Sequence, residues 1–217
     1  MTRVAIVGAH GKVAQQLMRV LYDDGDDFVG IVRNEEHAED VYRLGGLGAV
    51  VDVESASTEQ LAAAFDGCDA VVFSAGAGAG SSIERKRTVD YGGSVKSIEA
   101  AKLAGIRRFV QVSAWGADDP VAEDAEPVWR AYIEAKRDAD AALRDSGLDW
   151  TVLRPGGLTF DDGTGRITLA ERTPRGSIPR ADVAALIAAC LREPASIGRT
   201  WEAISGDTPI EEAVRSA

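Results

Sequence analysis

The 217-residue sequence has few of the residues that build metal centres and disulfides, with only two cysteines and two histidines. Cys68 and Cys190 are far apart and form no CxxC pair, so we expect reduced, partly buried thiols. Two histidines are too few for a histidine-rich metal centre, and they leave a Ser-His-Asp hydrolase almost no candidate base. The composition therefore predicts no metal site and disfavours that class of hydrolase.

Long apolar runs and an excess of basic residues are also missing. No apolar run approaches the roughly 18 to 20 residues that a membrane span requires. The formal net charge of −11 repels phosphate polymers, which argues against general nucleic-acid binding. The first apolar run is interrupted at Gly8 and His10 before the apolar region of a signal peptide develops. We therefore expect a cytoplasmic protein that binds neither membranes nor nucleic acids.

Short apolar runs alternate with helical patterns along the chain. The runs are rich in β-branched residues, and most are followed by a segment with apolar residues at helical spacing. This alternation predicts a doubly wound, Rossmann-type α/β fold, in which a parallel sheet of about seven strands carries helices on both faces. We expect one domain over residues 1–217, within which residues 157–178 form a small irregular segment that covers the substrate. The expected strands begin at Val4, Phe28, Ala49, Asp69, Ile106, Leu148 and Thr200.

The first expected strand ends in GAHGKVA, which places Gly8, Gly11 and Ala14 in a GxxGxxA pattern before the first helix. Gly8 allows a sharp turn, Gly11 lets backbone N–H groups approach a pyrophosphate, and Ala14 lets the helix pack close to the sheet. The N-terminus of the helix adds unpaired N–H groups and the positive end of its dipole. The pattern predicts dinucleotide binding, and a plain tight turn is the alternative.

The end of the second expected strand indicates which dinucleotide binds. NAD enzymes usually carry Asp or Glu there, whereas this chain has Arg33, whose guanidinium suits the 2′-phosphate of NADP. The alternative is an ordinary surface arginine, and NAD stays possible as the cofactor. We expect Asp52 and Val53, at the end of the third strand, near the adenine. Small residues at the end of the fourth strand would let the dinucleotide lie against the backbone, and these are Ser74, Ala75 and Gly76.

The stretch YIEAK places Tyr132 and Lys136 four residues apart, on one face of an expected helix. A free tyrosine has a pKa of about 10, and a nearby ammonium lowers that pKa because it favours the phenolate. Ser113, at the end of the fifth strand, is placed to orient a substrate carbonyl or alcohol. We interpret all three as catalytic, with Tyr132 exchanging the proton and Lys136 also binding the ribose. The alternative is that Tyr132 packs against the sheet or meets solvent and Lys136 merely contacts cofactor or water.

Nine ordered segments together resemble the atypical short-chain dehydrogenase/reductase family. They are GAHGKVA, VRN, VDV, FSAGAGAG, VDYGG, FVQVSAWGA, YIEAK, LRPGGLT and ISGDTPIEEA. The nearest branch is the compact NAD(P)-binding one, which is NmrA-like or sugar-epimerase-like. The resemblance implies further cofactor contacts in the glycine loop and beside the nicotinamide. These are His10 and Val13, and then Pro155, Gly156 and Gly157. Lys12, within the same glycine loop, is also expected to contact the cofactor.

The chain departs from the family pattern in two places. Members with a four-residue active site carry an asparagine on the helix after the fourth strand, and the matching stretch VDYGGSVKS has none. A proton relay through an asparagine is therefore not expected here. The substrate region is also shorter than in true nucleotide-sugar epimerases, which leaves little protein to hold a sugar nucleotide.

The leading functional hypothesis is an NADP(H)-dependent oxidoreductase that acts on a small carbonyl, quinone or flavin-like substrate. Trp115 and Phe160 are candidate walls of its substrate pocket. The alternatives are a non-catalytic NADP(H)-sensing regulator and an NAD-dependent sugar epimerase or dehydratase. The expected partner is a small-molecule substrate, and the chain is expected to be a monomer or a weak homodimer.

Overall fold

The central feature of the fold is a nine-stranded, mostly parallel sheet. The computed structural model describes residues 2–78 and 80–217, so Met1 and Ala79, the latter within the FSAGAGAG motif, lie outside the described residues. The predicted Rossmann-type α/β class is confirmed, although the sheet has nine strands rather than about seven. The strands are β1 (Arg3–Val7), β2 (Asp27–Val32), β3 (Leu47–Val50), β4 (Ala70–Phe73), β5 (Arg108–Val112), β6 (Asp149–Pro155), β7 (Gly157–Thr159), β8 (Arg166–Ala170), β9 (Ser177–Pro179), β10 (Arg199–Ser205) and β11 (Thr208–Pro209). Of these, β7 and β9 pair with each other in a separate two-stranded sheet.

Helices connect most of the parallel strands. Over residues 2–78 and 80–217, every helix is too short or too polar to traverse a lipid bilayer. After β4, a π-helical segment, Lys86–Gly93, directly precedes the helix Ser94–Leu103. The α-helices are α1 (Lys12–Asp23), α2 (Glu35–Arg43), α3 (Thr58–Ala64), α4 (Ile83–Arg85), α5 (Ser94–Leu103), α6 (Pro127–Arg144), α7 (Arg180–Arg192) and α8 (Ile210–Ser216).

The strand order is β11-β8-β10-β6-β5-β4-β1-β2-β3. The chain therefore runs outward from β1 to β3, returns to the other side of β1, and continues through β4, β5 and β6. This reversal places a crevice between β1 and β4 at the carboxyl ends of the strands. Open α/β sheets bind their ligands at such a point.

Both faces of the sheet are buried, which explains why the first strand is apolar at every position from Val4 to Val7. Val4 and Ile6 belong to one apolar cluster, which also contains residues of α1, α7 and α8. Ala5 and Val7 face the opposite cluster, which contains residues of α3, α5 and α6. Successive side chains of a strand point to opposite faces, so a strand covered on both sides has no polar alternation.

The segment 157–178 is not irregular as expected. It contains β7 and β8 and the start of β9, and β8 joins the main sheet antiparallel to β10. The DDGTGR stretch is typical of a loop, but RITLA, which shares Arg166 with it, alternates as a strand, with Ile167 buried and Arg166 exposed. The role of this segment in covering a substrate, and the single-domain organisation over 1–217, stay predictions.

Candidate functional site

A groove of about 310 Å³ opens at the carboxyl ends of β1, β2, β3 and β4. Its walls come from the loops that follow these four strands, so buried strands hold the lining residues in place. The groove lies at the reversal of strand order, where the fold predicts a ligand site. Of the expected cofactor contacts, the lining includes Gly8, His10, Gly11, Arg33, Asp52, Val53, Ser74, Ala75 and Gly76.

The turn after β1 depends on a glycine for two reasons. Gly8 has a φ of +84°, and a Cβ built on it would lie 2.6 Å from the Cα of Ala75. The amide of Gly11 donates to the carbonyl of Gly8 at 2.9 Å, so its own N–H is used within the turn. The amides of residues 12–14 form the first turn of α1 and have no acceptor within the helix.

These first-turn amides are the groups that suit a pyrophosphate. Gly11 is the N-cap of α1 and has no side chain that could cap them. The side chain of Val13 is buried, so only its backbone faces the loop, and the side chain of Lys12 is exposed. Neither residue belongs to the groove lining, and their contact with a cofactor stays a prediction.

One lining residue of the groove is an arginine that has no partner among the described residues. Arg33 follows β2, is exposed, and makes no ion pair or hydrogen bond with any other residue of the described chain. Asp52 lies two residues beyond the end of β3, and its Oδ1 accepts from the amide of Glu54 at 3.0 Å. That bond holds the turn after β3, so the first function of this carboxylate is local. Arg33 therefore has donors available to a ligand, whereas Asp52 shapes the wall.

Lys136 is buried next to a carboxylate that the motif analysis missed. Its Nζ lies 3.5 Å from Oδ1 of Asp90 and donates to the carbonyl of Val112 at 3.2 Å. The ring centroid of Tyr132 is 5.9 Å from the same Nζ. Burial raises the pKa of Tyr132 above 10.0, and the Lys136 ammonium opposes this rise without cancelling it. The expected lowering is therefore one contribution to the tyrosine pKa and not its net direction.

Ser113 is committed to a buried polar network. Its hydroxyl donates to Oδ2 of Asp140 at 2.7 Å, and Asp140 lies one turn beyond Lys136 on α6. The same carboxylate accepts from Gln111 at 2.7 Å and from Arg154 at 2.8 Å. Burial raises the pKa of Asp140, and the donors Arg154, Ser113 and Gln111 oppose the rise. In this conformation Ser113 offers a substrate its lone pairs, while its proton is directed into the protein.

The π-helical segment joins the groove to the tyrosine. Asp90, which is 1% exposed, accepts from the amide of Ala77 at 3.0 Å through its Oδ2. Lys86 donates to the carbonyl of Gly78 at 2.8 Å, and its Nζ lies 5.1 Å from the Tyr132 ring centroid. π-Helical turns often occur at functional sites because they change which side chains face inward. Two buried side chains of this segment therefore hold the loop that lines the groove.

The predicted contacts after β6 lie outside the groove. The carbonyl of Pro155 accepts from the amide of Trp115 at 3.2 Å, which ties the ends of β5 and β6 together. A Cβ on Gly156 would lie 2.5 Å from the carbonyl oxygen of Gly176, so a close backbone approach requires glycine there. Gly157 donates its amide to the same carbonyl at 2.9 Å. These residues belong to the Ser113 side of the sheet edge.

The two candidate wall residues differ in their surroundings. The indole Nε1 of Trp115 donates to Oγ1 of Thr173 at 3.1 Å, which fixes the ring against the loop before β9. Phe160 is 80% exposed, and the guanidinium of Arg180 lies 4.0 Å from its ring centroid. Their contact with a substrate stays a prediction.

A second cavity of about 360 Å³ lies beside α6 and is lined by four arginines, among them Arg154 and Arg172. Two of these arginines are in ion pairs, since Arg154 pairs with Asp118 and Asp140, and Arg172 pairs with Asp119. It contains no residue of the glycine loop. The dinucleotide chemistry therefore belongs to the groove between β1 and β4.

Comparisons with known proteins agree with this geometry. A family model described as NAD(P)H-binding matches residues 8–194. An uncharacterized sugar epimerase of Bacillus subtilis is 38% identical over 214 residues, which cover 98% of this chain and 99% of the relative. A solved structure from Bacillus halodurans, provisionally assigned as an NAD-dependent epimerase/dehydratase, has a TM-score of 0.92 and 37% identity over 100% of both chains.

A reductase is also among the similar structures. ChuY, described as an anaerobillin reductase of Escherichia coli O157:H7, has a TM-score of 0.81 and 26% identity. The match covers 95% of this chain and 98% of that chain. Proteins similar to this chain thus include epimerases by name and a reductase, so similarity alone does not choose the reaction.

Proposed function

The chain belongs to the NAD(P)H-binding family, in its atypical short-chain dehydrogenase/reductase branch, and we propose that it is an NADP(H)-dependent oxidoreductase. The substrate we propose is a small carbonyl, quinone or flavin-like acceptor. The observation that carries this proposal is the buried contact between Lys136 and Asp90, next to a groove built from strand ends. The Nζ of this lysine lies 5.9 Å from the centroid of the Tyr132 ring.

The cofactor, when bound, supplies or accepts a hydride at its nicotinamide. We propose that the first-turn amides of α1 hold the pyrophosphate and that Arg33 pairs with the 2′-phosphate of NADP. Lys136 then binds the ribose and keeps a positive charge near Tyr132. Buried Asp90 offsets that charge, since an uncompensated buried ammonium is costly.

The protonation of Tyr132 favours the reductive direction. Burial raises its pKa above 10.0, so the phenol is protonated at neutral pH. A protonated phenol donates a proton to the oxygen that develops negative charge when a carbonyl receives a hydride. Ser113 orients the substrate oxygen by donating its hydroxyl proton, after that hydroxyl turns away from Asp140.

Turnover and cofactor titration test the proposal. With NADPH and a panel of aldehydes, quinones and flavins, we expect Tyr132→Phe to lower kcat/KM by about 10²-fold or more, as loss of a general acid does. Tyr22→Phe is the matched control, because Tyr22 is 62% exposed on α1 and outside the groove. Intact activity in Tyr132→Phe on every accepted substrate would refute the assigned role.

The cofactor assignment has its own measurement. We expect wild type to bind NADPH more tightly than NADH and Arg33→Ala to lose most of that preference. Arg19→Ala is the control, since it removes the same charge from an exposed position that does not line the groove. Equal affinities for the two nucleotides in wild type would contradict the 2′-phosphate contact.

An NAD-dependent sugar epimerase or dehydratase is the second candidate, and the names of two Bacillus relatives favour it. Such an enzyme keeps its NAD through the catalytic cycle, so mass spectrometry of the nucleotide released from purified protein separates the two activities. Tightly bound NAD would favour the epimerase, and exchangeable NADP the reductase. Tight NADP binding without turnover over the whole panel would instead indicate a non-catalytic sensor.

A further inference from the structure

The two histidines of the chain stack on each other at the rim of the groove. The imidazole rings of His10 and His37 have centroids 3.6 Å apart and planes 7° apart. Both residues line the groove, as does Arg33. The two imidazoles come from different elements, because His10 lies in the loop after β1 and His37 in the first turn of α2. The fold thus brings together the only two side chains whose unperturbed pKa lies between pH 5 and 8.

Charged groups of both signs surround His37. Its pKa is lowered, first by burial and then by the positive charges of His10 and Arg33, while Glu36 and Asp40 oppose the shift. Oδ2 of Asp40 lies 3.2 Å from Nδ1 of His10, at an angle that makes no hydrogen bond. His37 is therefore mostly neutral at pH 7 to 8, next to an arginine with no ion-pair partner in the described chain.

The backbone holds His37 in this position. The side chain of Asn34, the N-cap of α2, accepts from the amide of His37 at 3.0 Å. Because Asn34 directly follows Arg33, one short turn joins the backbone of the arginine to that of His37, and both side chains line the groove. A phosphate monoester that pairs with the guanidinium would therefore come close to the imidazole.

We propose that His37, supported by the stacked His10, contacts the 2′-phosphate of NADP together with Arg33 and takes up a proton from solvent when that phosphate binds. The inference rests on the proposed NADP specificity and extends it to a second residue. The phosphate supplies the negative charge that favours imidazolium, and its own second pKa of about 6 leaves it mostly dianionic at pH 7.5. On binding, the imidazole would take up a proton, whereas the phosphate would release one. The sign of the measured proton change therefore distinguishes the two groups.

The proposed proton uptake predicts the direction in which NADPH affinity changes with pH. When the pKa of a group rises on binding, the complex becomes tighter as pH falls. This effect operates between the pKa of the group in the complex and its lower pKa in the free protein. Between pH 8.5 and 6.5 we expect NADPH to bind more tightly as pH falls, up to about tenfold per pH unit for one fully coupled proton. NADH, which has no 2′-phosphate, is expected to show a flat profile over the same range.

Isothermal titration calorimetry of the full chain measures this directly. Titrations of NADPH and NADH at pH 7.5, in two buffers with different ionisation enthalpies, give the number of protons taken up per nucleotide. We expect uptake with NADPH and none with NADH in wild type, and loss of the NADPH uptake in His37→Gln. His10→Phe keeps a ring in the stack without its charge, so the NADPH profile should persist and move to higher pH.

Failure of the inference is distinguishable from failure of the cofactor assignment. If wild type prefers NADPH and Arg33→Ala abolishes that preference, but proton uptake is the same in wild type and His37→Gln, then Arg33 acts alone and the inference is wrong. If wild type binds NADPH and NADH equally, the NADP assignment itself fails and the role of His37 falls with it. Circular dichroism of each variant confirms that the comparison is made on folded protein.

Discussion

Replacement of Gly8 by alanine tests the physical basis of the dinucleotide groove. Gly8 has a φ of +84°, in the left-handed region, where alanine costs about 1 kcal/mol more than glycine. The new Cβ would also lie 2.6 Å from the Cα and 2.8 Å from the amide nitrogen of Ala75. Real Cβ atoms do not approach backbone this closely, so β1 and β4 must shift apart, at about 1 to 3 kcal/mol. We expect Gly8→Ala to lower the free energy of unfolding by about 2 to 4 kcal/mol in all.

Gly25→Ala separates the two contributions. Gly25 has a similar φ of +76°, but a Cβ there would meet nothing within 4 Å. This control variant therefore carries the backbone cost of about 1 kcal/mol without the clash. Urea denaturation gives both free energies, and a fluorescence titration with NADPH gives the affinities, which we expect to fall only in Gly8→Ala. If the two variants lose the same stability and bind NADPH equally well, the close contact of the glycine loop with Ala75 does not shape the groove.

Three further predictions concern buried titratable groups. Asp140→Asn removes the anion that faces Arg154, and we expect a loss of about 3 to 5 kcal/mol in urea denaturation; an unchanged midpoint would contradict the network. Asp90→Asn removes a negative charge that raises the pKa of Tyr132. In the pH profile of kcat/KM, the limb assigned to Tyr132 should therefore move to lower pH. A limb that stays in place would exclude this coupling. Cys190 has a pKa raised to about 12 by burial, so we expect no reaction with a disulfide reagent at pH 8 until the chain is unfolded, and rapid labelling of native protein would show the thiol to be accessible.

The groove was predictable because its residues depend on local backbone geometry. Gly8 and Arg33 each follow a strand that is recognisable as a short apolar run, and the carboxyl ends of neighbouring parallel strands meet at one edge of the sheet. The number of strands was harder to predict from the sequence. β11 has two residues, too few to show a strand pattern, and β8 directly follows the loop-like stretch DDGTG.

The polar network was missed because its contacts connect distant parts of the chain. Asp140 receives the Ser113 hydroxyl across 27 positions, and only the packing of α6 against β5 brings them together. A signal existed, since Asp140 follows Lys136 by four residues and so shares its helix face. Asp90 lies inside the VDYGG motif, but the family pattern predicts no role for an aspartate at that position. Asp90 meets Lys136 because it lies in the π-helical segment, where its side chain is buried.

That π-helical segment makes the chain sensitive to length changes over a short stretch. An α-helix turns by about 100° for each residue, so losing one residue between Asp90 and Ser94 would restore regular α-helical winding and swing the preceding side chains by about that angle. Lys86 and Asp90 would then face away from the loop after β4 and from Lys136. Homologous chains that differ by one residue within this stretch should therefore differ in the chemistry of the tyrosine, even where both keep Tyr-x-x-x-Lys.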